Sequence, residues 1–186
     1  MNLSITAVLL KWNRAKELEA IETHLRSFSE INEVIIWDNT KENHINYGRY
    51  LGAIKAKNDI IYTQDDDCIV NNIRSLIDKW DGKRIVNLLK PSHMSLYGNH
   101  TMFGWGTLFD RRWVGCLDKY KDKWGEDYVF KRETDRIFSI LNTSGFVTYP
   151  GDIDDFPSAN DHYALYKQPD HESTKWIAIE RAESVK

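Results

Sequence analysis

The feature that most constrains this chain is an alternation confined to its first half. Residues 3–10, "LSITAVLL", form a continuous apolar run rich in β-branched side chains, as expected of a strand buried on both faces. In the next segment Leu18, Ile21, Leu25 and Phe28 fall three and four apart, which predicts an amphipathic helix with Asn13 as its N-cap. The pattern then repeats as strand 33–39, a small-residue helix over 47–57, strand 59–64, helix 73–80 and strand 84–89. Such alternation predicts an α/β fold with a mostly parallel central sheet flanked by helices. Ligands in these sheets bind beyond the carboxyl ends of the strands. Here those ends are polar: residues 11–14, Asp38 with Asn39, and Asp65 to Asp67.

The second half is less regular. "TMFGWGTLF" (101–109) reads as a glycine-broken aromatic strand, 126–142 as a helix, and 146–150 as a short strand before a polar tail. No repeat and no long linker divides the 186 residues, so the whole chain (1–186) is expected to be one domain. Within it, 1–90 would bind a nucleotide and 91–186 an acceptor.

Net charge is −3, which argues against a module held on duplex DNA by phosphate contacts. Two cysteines, Cys68 and Cys116, are too few for a disulfide framework or a four-ligand zinc site, and no disulfide partner is expected. The N-terminus lacks the marks of a signal peptide, and no apolar run suits a membrane span. The expected setting is cytoplasmic, with no membrane attachment evident.

Residues 60–70, "IIYTQDDDCIV", carry the strongest chemical signal. Three adjacent aspartates follow a strand. They can form a turn or cap a helix, yet Asn71 and Asn72 lie closer to the next helix. Two unit charges ~4 Å apart repel by about 1 kcal/mol in bulk water and about 4 kcal/mol at an effective dielectric of 20. A divalent cation relieves that repulsion. Carboxylates are hard ligands for Mg²⁺ or Mn²⁺, and these ions hold substrate phosphates as well.

A strand ending in an Asp-x-Asp motif after two strand–helix units resembles the GT-A glycosyltransferases. "TAVLLKWNR", "EVIIWDN" and "YTQDDDCIV" are similar to exostosin-like and family-2-like members and to short viral or phage-encoded relatives, whose setting would be the host cytoplasm. The resemblance implies a GT-A (Rossmann-like) fold and a hexosyltransferase-type enzyme using a nucleoside-diphosphate sugar, UDP-linked first. It implies that Trp12, Asn13 and Arg14 line the base and diphosphate, and that Asp38 and Asn39 meet the uracil or ribose. Asn46 and Arg49 of "NYGRY" would lie near the nucleotide, with Gly48 allowing close approach. Asp65 would bond ribose or sugar hydroxyls and share the metal, Asp66 would touch the donor sugar, and Asp67 would coordinate the metal. Each has a structural alternative: packing for Trp12, a solvated helix position for Arg14, a simple helix start for "NYG".

Glu126 and Asp127 of "WGEDYVF" suit a helix N-terminus as caps. The resemblance adds a second role, the catalytic base that deprotonates the acceptor hydroxyl, with Asp127 preferred. Gly104, Trp105 and Gly106 resemble the acceptor-side segment. In the tail, His171 matches a late histidine that reaches the metal, ahead of His162 and Asp161; an imidazole ligand would favour Mn²⁺. A surface histidine is the alternative. Lys167 and Lys175 would meet phosphate if the tail closes over bound donor.

Two other function classes stay open. A nucleotidyltransferase shares the sheet and the acidic site but typically needs a glycine-rich phosphate loop, and "LLKWNRAKE" has no glycine. A nucleotide- or glycan-binding module would hold an ion without turnover. The acceptor is unassigned among glycan, protein, lipid-linked sugar and modified nucleic-acid base.

Overall fold

In the computed structural model, residues 3–96, 98–162 and 164–186 are described. β1 (Ile5–Lys11), β2 (Ile31–Asp38) and β3 (Ile60–Thr63) are parallel neighbours, with α1 (Ala15–Arg26) and α2 (Gly48–Ile54) as crossovers. The six-stranded sheet has the order β2-β1-β3-β6-β5-β7, where β5 is Ile85–Leu89, β6 Thr107–Asp110 and β7 Phe146–Pro150. Only β6 runs against its neighbours.

Both faces of the sheet are covered, as the unbroken apolar strands require. Ile5, Ala7 and Leu9 of β1 join Leu18, Ile21 and Leu25 of α1 and Leu76 of α3 (Ile73–Asp78) in one core. Val8 points the other way, into a core with Tyr50, Phe103, Phe109 and Phe138. This second core is closed by α5 (Tyr128–Leu141) and α6 (His171–Glu183), after the short α4 (Asp118–Trp124).

Several local expectations are corrected. α1 has Arg14, not Asn13, at its N-cap position, and no side-chain cap bond. Asn72 stands before α3 without capping it. Its side chain instead donates to Pro150 O and accepts from Asp152 N, tying α3 to the far turn. The aromatic segment 101–109 is a strand only from Thr107. Before that, Gly106 takes φ +95 and turns the chain. β4 (Cys68–Val70) pairs antiparallel with β8 (Ile153–Asp155) in a separate ribbon beside the aspartates. The tail forms α6, which has almost no amphipathic pattern in its sequence: Ala178 and Ala182 are buried, and Trp176 and Ile177 face outward.

Candidate active site

The parallel register of β1, β2 and β3 brings their polar ends to one rim. Lys11 lies opposite Asp38, their charges 3.7 Å apart, and the Asn39 amide donates to Lys11 O. Arg14 leaves the end of β1 and reaches Asp66 at 2.7 Å and Asp161 at 3.1 Å. It also donates to Ser158 O, so the segment after β8 is laced across the site by one guanidinium.

The three aspartates have different partners. Asp65 accepts from Arg49 at 2.6 Å. Asp66 pairs with Arg14; burial holds its carboxyl above the ordinary range and outweighs that attraction. Asp67 has no hydrogen bond or ion pair to its carboxylate among the described residues. Burial first, then the charge of Asp65, push its pKa up to about 7. Its backbone carbonyl accepts from Phe156 N, which fixes it beside Asp155. Asp155 pairs with Lys90, and Lys90 lies 4.8 Å from the Trp105 ring centroid. His93 meets the same indole edge-on at 4.9 Å.

Gly104 touches the site through its lack of a side chain. Its carbonyl accepts from Asp65 N at 2.9 Å, and no Cβ fits between it and the Asp65 carboxylate. Gly48 does the same for α2, since a Cβ there would lie 2.6 Å from Trp37 Cδ1.

Other expected site residues are placed as follows. Trp12 is exposed on the rim, and Asn13 beside it is exposed too. Asp38 accepts from Thr40. Asn39 is buried, with its amide spent on the 44–45 loop: Nδ2 donates to Ile45 O and Oδ1 accepts from His44 N. Asn46 donates to Arg132 O at 2.7 Å, joining the start of α2 to α5. Asp127 caps α5, accepting from Phe130 N at 2.8 Å, and pairs with Arg181 at 2.6 Å. Arg181 lines a groove of about 340 Å³ with Trp124, Ile177 and Lys123. Glu126 accepts from Tyr47 OH.

His171 is not gathered to the aspartates. It opens α6, with Nε2 3.8 Å from Glu172. Among the described residues no cluster of three or more His, Cys, Asp or Glu side chains is arranged to hold a metal ion. A fit for a divalent cation therefore rests on Asp67, a partly buried carboxylate with no ion pair among the described residues, and on Asp65 beside it. Two carboxylates completed by phosphate oxygens and water suit Mg²⁺ or Mn²⁺. Without the imidazole, the reason to favour Mn²⁺ goes.

One acid near the site was missed by the sequence reading. Asp135, in the middle of α5, lies 3.5 Å from Arg49 Nε and accepts from Tyr50 OH at 3.0 Å. Burial, opposed by Arg49, raises its pKa to about 6. The available signal was charge inside an apolar stretch: Arg132 and Glu133 of α5 are buried along with Phe130 and Ile137.

Neither a family model nor a curated protein sequence matches the chain. Solved structures do match. The catalytic domain of Drosophila β1,4-galactosyltransferase 7, in complex with xylobiose, is similar at TM-score 0.54 and 16% identity, covering 80% of this chain and 67% of that one. Glucosyl-3-phosphoglycerate synthase from Mycobacterium tuberculosis, in complex with Mn²⁺, UDP and phosphoglyceric acid, is similar at 0.55 and 13%, covering 97% and 78%. The fold is the GT-A fold. Its glycosyltransferase and nucleotidyltransferase branches both appear among the matches. 4-Diphosphocytidyl-2C-methyl-D-erythritol synthase from Anaerococcus prevotii DSM 20548 is similar at 0.55 and 12%, covering 95% and 99%. At these identities the likeness concerns the fold. Among the described residues no helix is long and apolar enough to cross a membrane.

Proposed function

We propose that the chain is a metal-dependent glycosyltransferase that moves a sugar from a nucleoside-diphosphate sugar, a UDP-sugar first, to an acceptor hydroxyl. The observation that carries this reading is the Asp67 carboxylate. It is partly buried, has no hydrogen bond or ion pair to its carboxylate among the described residues, feels the Arg14 charge less than it feels burial and the neighbouring acid Asp65, and stands on the ligand rim of a GT-A sheet. The galactosyltransferase and the phosphoglycerate synthase named above have been solved with manganese or Mn²⁺ and with UDP-Gal or UDP, which supports the choice of donor.

In this reading residues 1–90 bind the donor and 91–186 the acceptor. Trp12 offers an exposed aromatic face to the base, and Asp38 its carboxylate to the ribose or base edge. Asn39 and Asn46 shape the pocket through the loop and helix they tie. Arg14 exchanges Asp161 for diphosphate oxygens, the fork geometry suiting either. Asp67 and Asp65 would hold a divalent cation, which would supply positive charge for the departing nucleoside diphosphate. Asp66 and Asp65 orient donor hydroxyls. Trp105, flanked by Lys90 and His93, faces the acceptor, with Gly104 and Gly106 keeping the backbone close. Asp127 takes the proton of the acceptor hydroxyl, once its pair with Arg181 opens.

A nucleotidyltransferase is the second reading, favoured by the synthase match. The absence of glycine between β1 and α1 weighs against it. A melting-temperature panel of UDP, GDP, CDP and TDP, each with Mn²⁺ or EDTA, tests the donor site. Ligand at about a hundred times Kd adds about 2.7 kcal/mol, roughly 5–10 °C for a chain of this size. UDP with Mn²⁺ is expected to give that shift and Asp67→Ala to abolish it. No shift with any nucleotide would remove the reading. Release of UDP from UDP-sugars, against release of pyrophosphate from UTP and a sugar phosphate, separates the two enzymes.

A further inference from the structure

The two arginines at the aspartates differ in what surrounds them. Arg14 sits at the rim. Arg49 lies beneath it, its side chain 1% exposed, between Asp65 Oδ1 at 2.6 Å and Asp135 Oδ1 at 3.5 Å. Asp135 is held in turn by Tyr50 OH. The loop after β3, the first turn of α2 and the middle of α5 thus meet in one cluster where two carboxylates share one guanidinium.

The sharing is uneven. Nη2 of Arg49 donates to Asp65, while Nη1 and Nε are buried without a hydrogen-bond partner. A guanidinium that served packing alone would close its fork on one carboxylate. Here its second acid stands within ion-pair distance, just outside hydrogen-bond geometry. Burial acts against the charge on Arg49, and Asp135 and Asp65 together hold it protonated.

We propose that Asp135 is a positioning residue for Asp65, acting through Arg49. It keeps a counter-charge on the buried guanidinium when the Asp65 carboxylate turns from arginine to a cation. This rests on the reading of Asp65 as a metal-coordinating carboxylate. With Asp135 present, Arg49 is neutralised in both states. Without it, Asp65 is the remaining acid within reach of Arg49, and drawing it onto a cation strands a buried positive charge, which is strongly unfavourable. Asp135 competes for the arginine and makes no contact with the cation.

The consequence has a sign that ordinary structural damage does not produce. In Asp135→Asn the volume and the bond from Tyr50 OH survive, and Arg49 closes on Asp65. The ligand-free protein keeps its melting temperature or gains, while Mn²⁺ binding weakens. Outer partners of metal ligands typically change metal affinity about 10–100-fold, and a loss of that size is expected. The measurement is a titration of the full chain with Mn²⁺ in the presence of UDP, read from the electron paramagnetic resonance signal of free Mn²⁺, with ligand-free melting curves alongside. Asp135→Glu keeps the charge and is expected to restore most of the affinity. Unchanged Mn²⁺ affinity in Asp135→Asn overturns the proposal, as does a parallel fall of affinity and ligand-free melting temperature that Asp135→Glu does not repair. If the unaltered chain binds no Mn²⁺ with UDP, the glycosyltransferase reading fails with it; binding that ignores Asp135 sinks only this inference.

Discussion

A Cβ on Gly104 would lie 2.0 Å from Oδ2 of Asp65 and 2.7 Å from its Cγ. The Asp65 amide donates to the Gly104 carbonyl, so the two backbones are locked and neither can retreat. A glycine in the aromatic segment before β6 thereby sets where the first aspartate points.

Gly104→Ala is expected to push the Asp65 carboxylate off Arg49. Overpacking of this kind costs about 1–3 kcal/mol, visible in urea unfolding. The larger effect is expected on Mn²⁺-dependent UDP binding, a loss of about tenfold or more by calorimetry, in the range seen when a metal ligand is mis-oriented. Tight UDP binding by the variant would show that the Asp65 orientation is not needed.

Arg14→Ala removes the guanidinium's bonds to Asp66, Asp161 and Ser158 O. Losing hydrogen bonds to a charged, half-buried group costs about 2 kcal/mol. The segment 156–162 then has fewer ties, keeping those from Phe156 N to Asp67 O and from Ser158 Oγ to Glu17. Limited proteolysis is expected to cut there faster than in the unaltered chain. Equal cutting rates would show that the segment is held by its other bonds.

Asp67 gives a pH signature. Its folded pKa, about 7, stands above the ordinary carboxylate value of 3.8. Between those values the folded chain binds more protons than the unfolded one, so this group's contribution to stability falls as pH rises. Above about pH 7 the unfavourable charge is fully expressed. Asp135, raised to about 6, acts in the same direction. His100, lowered to about 4 by burial, acts oppositely below its ordinary 6.5. The difference between Asp67→Asn and the unaltered chain cancels the other two. In EDTA that difference is expected to grow in favour of the variant from pH 5 to 7.5 in urea titrations. A pH-independent difference would mean that Asp67 finds a counter-charge in solution.

Asp127 separates capping from catalysis. Asn is as good an N-cap as Asp, so Asp127→Asn preserves the bond to Phe130 N and loses only charge toward Arg181. Stability is expected to change by about 1 kcal/mol or less, as for other part-exposed pairs. Sugar transfer is expected to fall about 10²–10⁴-fold, the usual worth of a general base. Transfer at the normal rate would leave Asp127 a cap alone.

Apart from the three-residue β4, the order of strands and helices to residue 90 was legible because burial on both faces writes itself into local sequence as unbroken apolar runs. The C-terminal ends of β1, β2 and β3 could be placed on one rim for the same reason: parallel crossovers leave no other arrangement. Asp66 and Arg14 were both visible as rim residues; that they pair with each other was not.

What lies between distant segments was not legible. Arg49 and Asp135 lie in two helices and Asp65 in the loop after β3, and no local pattern links an arginine in one helix to an acid in another. The β4–β8 ribbon joins residues 68–70 to 153–155, runs too short for a periodic signal. α6 escaped notice because its buried face is made of Ala178 and Ala182 while Trp176 faces outward, the reverse of the pattern by which amphipathic helices are read. Local sequence thus determined the sheet, its two covered faces and the acidic rim, since each depends on side chains a few residues apart. Which acid faces which arginine was decided by tertiary structure, because ion pairs form wherever packing brings opposite charges together, however far apart they lie along the chain.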